Sequence, residues 1–91
     1  MHTETIAAIA TALSNAGIGI IRVSGPEAVS VVDSIFYNKS GRRNLAQKRS
    51  HTVSHGYIVV PDSEKNWQEN ILDEVMVVLM RAPHSYTMED T

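Results

Sequence analysis

The 91-residue chain contains no cysteine, so neither a disulfide framework nor a thiolate-held metal centre supports its fold. No charge of one sign dominates. Eight Lys and Arg stand against ten Asp and Glu, for a formal net charge of -2. That balance singles out neither nucleic acid nor an acidic substrate as a partner of the whole surface. No apolar run approaches the roughly 20 residues that cross a bilayer. The opening MHTETIAAIATAL lacks the basic start and long apolar centre of a secretory signal. Internal repeats and low-complexity tracts are absent as well. What remains is one small domain or a piece of one, with a cytoplasmic location and no membrane partner as the expectation. A chain of this size buries only about 60–65% of its unfolded surface, so the loss of one element weighs heavily.

The segment Thr5–Leu13, TIAAIATAL, reads as a strand or a short helix, with its β-branched residues favouring the strand. SNAG, from Ser14 to Gly17, is turn chemistry. Gly17–Gly25, GIGIIRVSG, has a strand's character and places Ile18, Ile20 and Arg22 on one face. Ser24–Phe36 is the clearest helix. Either Ser24 and Glu27 form a capping box, or Gly25 caps with Pro26 at the first helical position. Ala28, Val29, Val32, Ile35 and Phe36 recur at helical steps and form an apolar stripe, which should face a sheet. Tyr37–Ser50 is polar and carries five of the eight basic residues, as a surface loop would. Thr52–Val60 is a second strand and Ile71–Met80 a third, joined by the hairpin-like connection Pro61–Asn70 and therefore antiparallel. From Val75 onward the third strand is apolar on both faces, which predicts a central position.

Few residues suggest chemistry. Arg22 shares a face with two isoleucines, where a cation needs a partner or water. It either offers its planar fork to a ligand carboxylate or reaches solvent or an acidic neighbour as an ordinary strand-end arginine. GIGIIRVSG has neither the third glycine of a dinucleotide loop nor the lysine of a P-loop, so structural glycines are the better reading. His51 and His55 stand four apart with no third ligand nearby, which argues against a metal site. His84 lies in a loop with nothing to mark it as catalytic. Lys39, Arg42, Arg43, Lys48 and Arg49 form a basic loop with only Tyr37 at its edge, better read as a solvated loop than an RNA platform. Asp73 and Glu74 are adjacent in a strand and point to opposite faces, so they form no catalytic pair. No nucleophile–base arrangement is legible. The residues alone point to an α+β binding module.

The ending is peculiar. In RAPHSYTMEDT, Ser85 or Thr87 suits a helix cap, and Thr87 to Asp90 nearly forms a capping box, yet no helix follows. This segment belongs to a larger pattern. TIAAIATALSNAGIGIIRVSGPEA, HGYIV and ILDEVMVVLMRAPHSYTMED, in that order, resemble the N-terminal domain of the MnmE (TrmE) family of tRNA modification GTPases. The likeness covers nearly the whole chain and is weakest over Tyr37–Ser50 and Pro61–Asn70.

The resemblance implies an α+β fold with a mixed, largely antiparallel sheet and a helix on one face. That fold is similar to the tetrahydrofolate-binding domain of the glycine cleavage T-protein, and here it is incomplete at the C-terminus. It implies that residues 1–91 are most of a folate-binding, dimerising domain, and that the missing helix is the one SYTMED would open. The implied cofactor is a 5-formyltetrahydrofolate-type one-carbon donor, with Arg22 as its contact in this chain. Other folate contacts of the family, a glutamate and a lysine, fall beyond Thr91. The resemblance further implies a parent protein that hydrolyses GTP with Mg and K through a domain not present here and acts with the flavoprotein MnmG on the wobble uridine of tRNA. No catalytic or metal-binding residue is implied within these positions. The rival expectation is a non-catalytic self-association module with weak or lost folate binding. Two departures from the family pattern stand out: TALSNAG lacks two prolines of the corresponding turn, and Met88 replaces a glycine.

Overall fold

The computed structural model describes residues 4–10, 17–83 and 89–91. Two β-branched runs near the start form strands β1 (Ile6–Ile9) and β2 (Ile21–Ser24), paired antiparallel with Ala8 opposite Arg22. β2 is shorter than predicted. One further rung extends the ribbon, because the Ala10 N–H donates to the Ile20 carbonyl at 2.8 Å. The turn expected at Ser14–Gly17 falls largely outside the described residues.

Helix α1 spans Ala28–Asp33, inset at both ends from the predicted 24–36. The Ser24–Glu27 capping box does not form. Ser24 is still paired in β2, opposite Ile6, while Glu27 occupies the cap position without a side-chain capping bond. The reversal is made by Gly25 at φ +133°, and the Glu27 N–H finds its acceptor in Thr5 Oγ1 at 2.9 Å. A cap supplied from the start of β1 cannot be seen in the local sequence. The predicted stripe does face inward: Ala28 is buried, Val29, Val32 and Ile35 are half-buried, and Ser30, Val31 and Ser34 are exposed.

Phe36 leaves the helix. Phe36–Tyr37 form a short strand, β3, antiparallel to β4 (Thr52–Val59), with Phe36 opposite Ile58 and Tyr37 opposite Tyr57. Aromatic residues suit a pleated, half-buried surface, and pairing with β4 outweighs one more helical turn. β4 pairs in turn with β5 (Ile71–Leu79), antiparallel as expected, giving the order β3-β4-β5. Every strand pairing among the described residues is antiparallel. The architecture is α+β.

β5 is not central among the described residues; it is the outer strand of its sheet. Its two apolar faces therefore have different fates. Val75 and Val77 are half-buried and Leu79 is buried, but Leu72 and Met76 on the other face are 67% and 68% exposed. The cross-strand register puts Val53 beside Val78 and His55 beside Met76, so the open face continues onto β4.

Two stretches read as polar connections pack against the core. After β3, Asn38 Oδ1 accepts the N–H groups of Ser40 and Arg42, each at 3.0 Å, and closes a turn. The chain then forms a 3₁₀ helix, Leu45–Gln47, whose Leu45 N–H donates to Asp33 Oδ1 at 2.9 Å. That bond brings Leu45 under α1, fully buried. The 61–70 connection is no simple hairpin either. It contains a kinked 3₁₀ segment, Glu64–Asn70, from which Trp67 stacks on Tyr37 with centroids 5.5 Å apart. Phe36, Leu45 and Val59 are the largest fully buried side chains, joined by Ala28, Tyr37 and Leu79. Each large apolar side chain contributes roughly 1.5–3 kcal/mol by burial.

Candidate functional site

Arg22 stands at the middle of the β1–β2 ribbon, and the ribbon explains how a cation tolerates an apolar face. All of β1 and the first half of β2 are exposed. The neighbours on the Arg22 face, Ile6 and Ile20, are 50% and 52% exposed. Water therefore reaches the guanidinium, and the desolvation that would oppose a buried charge does not apply. Directly across the ladder stands Ala8, and Ala10 follows at the next position on that face. Neither side chain is larger than a methyl group. The face offers a planar cationic fork between aliphatic surfaces, suited to an anionic group attached to an apolar body.

The ribbon is fastened to the other sheet at one end. Past Ser24, the Gly25 N–H donates to the Asp90 carbonyl at 3.0 Å. Asp90 Oδ1 accepts the Ala82 N–H at 2.8 Å, and Thr91 exchanges two backbone hydrogen bonds with Met80, both at 2.8 Å. Asp90 and Thr91 thus lie between the end of β2 and the end of β5. Residues 89–91 are not helical; the Asp90 carbonyl and both Thr91 backbone groups are engaged in this pairing instead. Ser85, Thr87 and Met88, and with them the rest of the cap, lie outside the described residues, as does His84. Gly25 admits no side chain at this junction, since a Cβ would lie 2.6 Å from both the Glu4 carbonyl oxygen and the Thr5 Cα.

The other polar groups have local roles. His55 Nε2 meets Glu74 Oε2 at 2.5 Å across β4 and β5, and the Tyr57 ring lies edge-on to the imidazole at 6.0 Å. His51 Nδ1 is 2.8 Å from Ser50 Oγ, and the same hydroxyl accepts the Arg81 N–H at 2.9 Å. The two histidines thus engage different partners. Asp73 and Glu74 point to opposite faces, as their adjacency in a strand requires. In the basic loop, Arg43 lies 5.9 Å from the centre of the Tyr37 ring and 4.0 Å from a Glu64 carboxylate oxygen. Sequence reasoning saw only Tyr37 at this edge; Trp67 and Tyr57 join it through the fold, their rings 6.0 Å apart. Their ring faces serve one another first.

Arg81 carries the largest polar role that sequence reasoning missed. Its Nη2 donates to the Ala46 and Lys48 carbonyls, both at 2.8 Å, and its Nε donates to Lys48 at 3.1 Å. The guanidinium closes the exposed end of the Leu45–Gln47 helix, satisfying carbonyls that the helix leaves open. Its place at the end of the β5 sequence does not say which carbonyls are near.

Comparison with known proteins follows the same segments. Residues 5–91 match the family described as GTP-binding protein TrmE N-terminus. The tRNA modification GTPase MnmE of Lachnoclostridium phytofermentans is 57% identical over 91 residues, which cover 100% of this chain and 18% of that protein. The proteins of the same name from Acholeplasma laidlawii and Symbiobacterium thermophilum are 49% and 47% identical, each over 90 residues. The chain spans 18% of the length of each of these relatives.

Proposed function

The chain belongs to the TrmE N-terminus family, and on that premise we propose that it is a folate-binding, dimerising domain of a tRNA modification GTPase. Its fold is then that of the tetrahydrofolate-binding domain of the glycine cleavage T-protein, with residues 1–91 as most of the unit. The observation that carries the reading is Arg22, an exposed cation on an aliphatic ribbon face, opposite Ala8 in the ladder. A reduced folate has the matching chemistry: a carboxylate-bearing glutamate tail on a flat, largely apolar body. Arg22 supplies charge and orientation, by a bidentate bond to a carboxylate. The bound 5-formyltetrahydrofolate would supply a one-carbon unit.

No hydrolysis is assigned to these residues. GTP, Mg and K belong to another domain of the parent protein, which works in the cytoplasm with MnmG to modify the wobble uridine of tRNA. Among the described residues no helix is long and apolar enough to cross a membrane.

Calorimetric titration with 5-formyltetrahydrofolate tests the reading. Arg22→Ala should weaken binding at least tenfold, since a charge-assisted hydrogen bond contributes about 1.5–3 kcal/mol. Unchanged affinity in that variant would remove Arg22 from the site. A second reading, self-association without appreciable folate affinity, has its own support in the open apolar face formed by Val53, Leu72, Met76 and Val78. Absence of saturable binding together with concentration-dependent sedimentation would favour it.

A further inference from the structure

The β1–β2 ribbon that carries Arg22 is a two-stranded element, which is marginal without outside support. Its faces are exposed along most of their length. At one end two hydrogen bonds anchor it: the Glu27 N–H donates to Thr5 Oγ1, and the Gly25 N–H donates to the Asp90 carbonyl, which links the ribbon to the end of β5. Asp90 uses two of its groups there. Its carbonyl holds the Gly25 N–H at the end of the ribbon, and its carboxylate holds the Ala82 N–H where the chain leaves β5. Thr91 fixes the same short segment to Met80 by a reciprocal pair of backbone bonds.

We infer that Asp90 is a positioning residue for ligand recognition by Arg22: it ties the ribbon to the β5 sheet and so sets where the guanidinium points. This inference rests on the reading of Arg22 as a folate contact. Leverage makes it consequential. Arg22 is three residues from Gly25, about 10 Å along an extended strand, so a pivot of about 10° at the junction displaces its backbone by nearly 2 Å. Recognition geometry tolerates only about 0.5 Å. Without the carboxylate, the segment keeps its bonds to Met80 but loses the one that fixes its orientation beside Ala82. Asp90 touches no ligand in this scheme; it acts through Arg22.

The test is a double-mutant cycle read by titration with 5-formyltetrahydrofolate, in the full-length protein that carries this domain. Asp90→Ala should weaken binding about tenfold. Asp90→Asn keeps an oxygen acceptor for the Ala82 N–H and should recover most of the affinity, which separates positioning from charge. In an Arg22→Lys background, where the fork is already lost, Asp90→Ala should cost less than twofold more. The thermal midpoint of each variant is measured alongside; Asp90→Asn remains informative if Asp90→Ala does not fold. Wild-type affinity in Asp90→Ala, with Arg22→Ala still impaired, would overturn the inference and leave the folate reading intact. Additive losses from Asp90→Ala and Arg22→Lys would also overturn it, since Asp90 would then act elsewhere. Wild-type affinity in Arg22→Ala would remove Arg22 from the folate site, and this inference with it.

Discussion

Gly56→Ala should destabilise the fold by about 3 kcal/mol, and trimming the neighbouring aromatic should not restore it. Gly56 is buried in β4, opposite Val75 on β5. A Cβ there would collide with the Tyr37 carbonyl oxygen and lie 2.8 Å from Phe36 Cζ. Cross-strand neighbours on a diagonal are within reach of an aromatic ring, and the Phe36 ring takes the space that a side chain on Gly56 would need. Of the two obstacles the ring is the easier to move. The Tyr37 oxygen belongs to the backbone of β3, which pairs with β4 over only Phe36 and Tyr37. Relieving that contact means moving β3 away from β4 by about 1 Å, at the expense of a fully buried Phe36. Overpacking typically costs 1–3 kcal/mol, and the upper end applies because the obstacle is main chain. Domains of this size have a total stability of roughly 5–14 kcal/mol. The thermal midpoint should fall by about 12–20 °C. In Gly56→Ala with Phe36→Leu it should fall at least as far, since the backbone contact persists and the core loses volume. A midpoint within a few degrees of wild type in Gly56→Ala would show that the site accommodates a side chain, and recovery in the double variant would show that the ring and not the strand sets the limit.

Much of this arrangement was legible in the sequence, and the part that was not has a common cause. β4 and β5 announce themselves by β-branched composition, and the short polar stretch between them dictates their antiparallel pairing. The inward stripe of α1 follows from its period. The errors fall where a residue's role is decided by a distant partner. Phe36 continues the helical stripe as well as it begins a strand, and only β4 decides between the two. Leu45 is a single apolar residue in a polar stretch; Asp33, twelve positions earlier, draws it into the core. Thr5 caps a helix from 22 positions away. β5 has the composition of a strand covered on both faces, yet among the described residues one face is open. Its composition thus suits more surroundings than these residues supply. The candidate site divides in the same way. Arg22 was visible as a cation among isoleucines, whereas Ala8 across from it, and Asp90 at the end of its ribbon, emerge only from the register.

Arg81 gives the second large effect, and it separates anchoring from recognition. Arg81→Met keeps much of the aliphatic stem and removes the three donated bonds to Ala46 and Lys48. Surface ion pairs are worth little, but here the charge is the donor to carbonyls that a 3₁₀ helix leaves unsatisfied. Hydrogen bonds to a charged group contribute about 1.5–3 kcal/mol in partly buried settings. Two carbonyls lose their partner at once, but both regain some water, so about 2–3 kcal/mol is the expected loss. The loss should appear first near Leu45, because the clasp holds the far end of the short helix that carries it. Hydrogen exchange should therefore quicken at Gln47 and Lys48, whose N–H groups donate to the Asn44 and Leu45 carbonyls, before it changes in the β4–β5 ladder. Arg81→Lys should recover less than half of the loss, since a single ammonium cannot span both carbonyls as the planar fork does. Folate affinity should stay within about twofold of wild type at temperatures where the variant is folded, because the Gly25–Asp90 junction is left intact. A loss of binding as large as that of Arg22→Ala, without loss of stability, would move Arg81 from the scaffold into the recognition site.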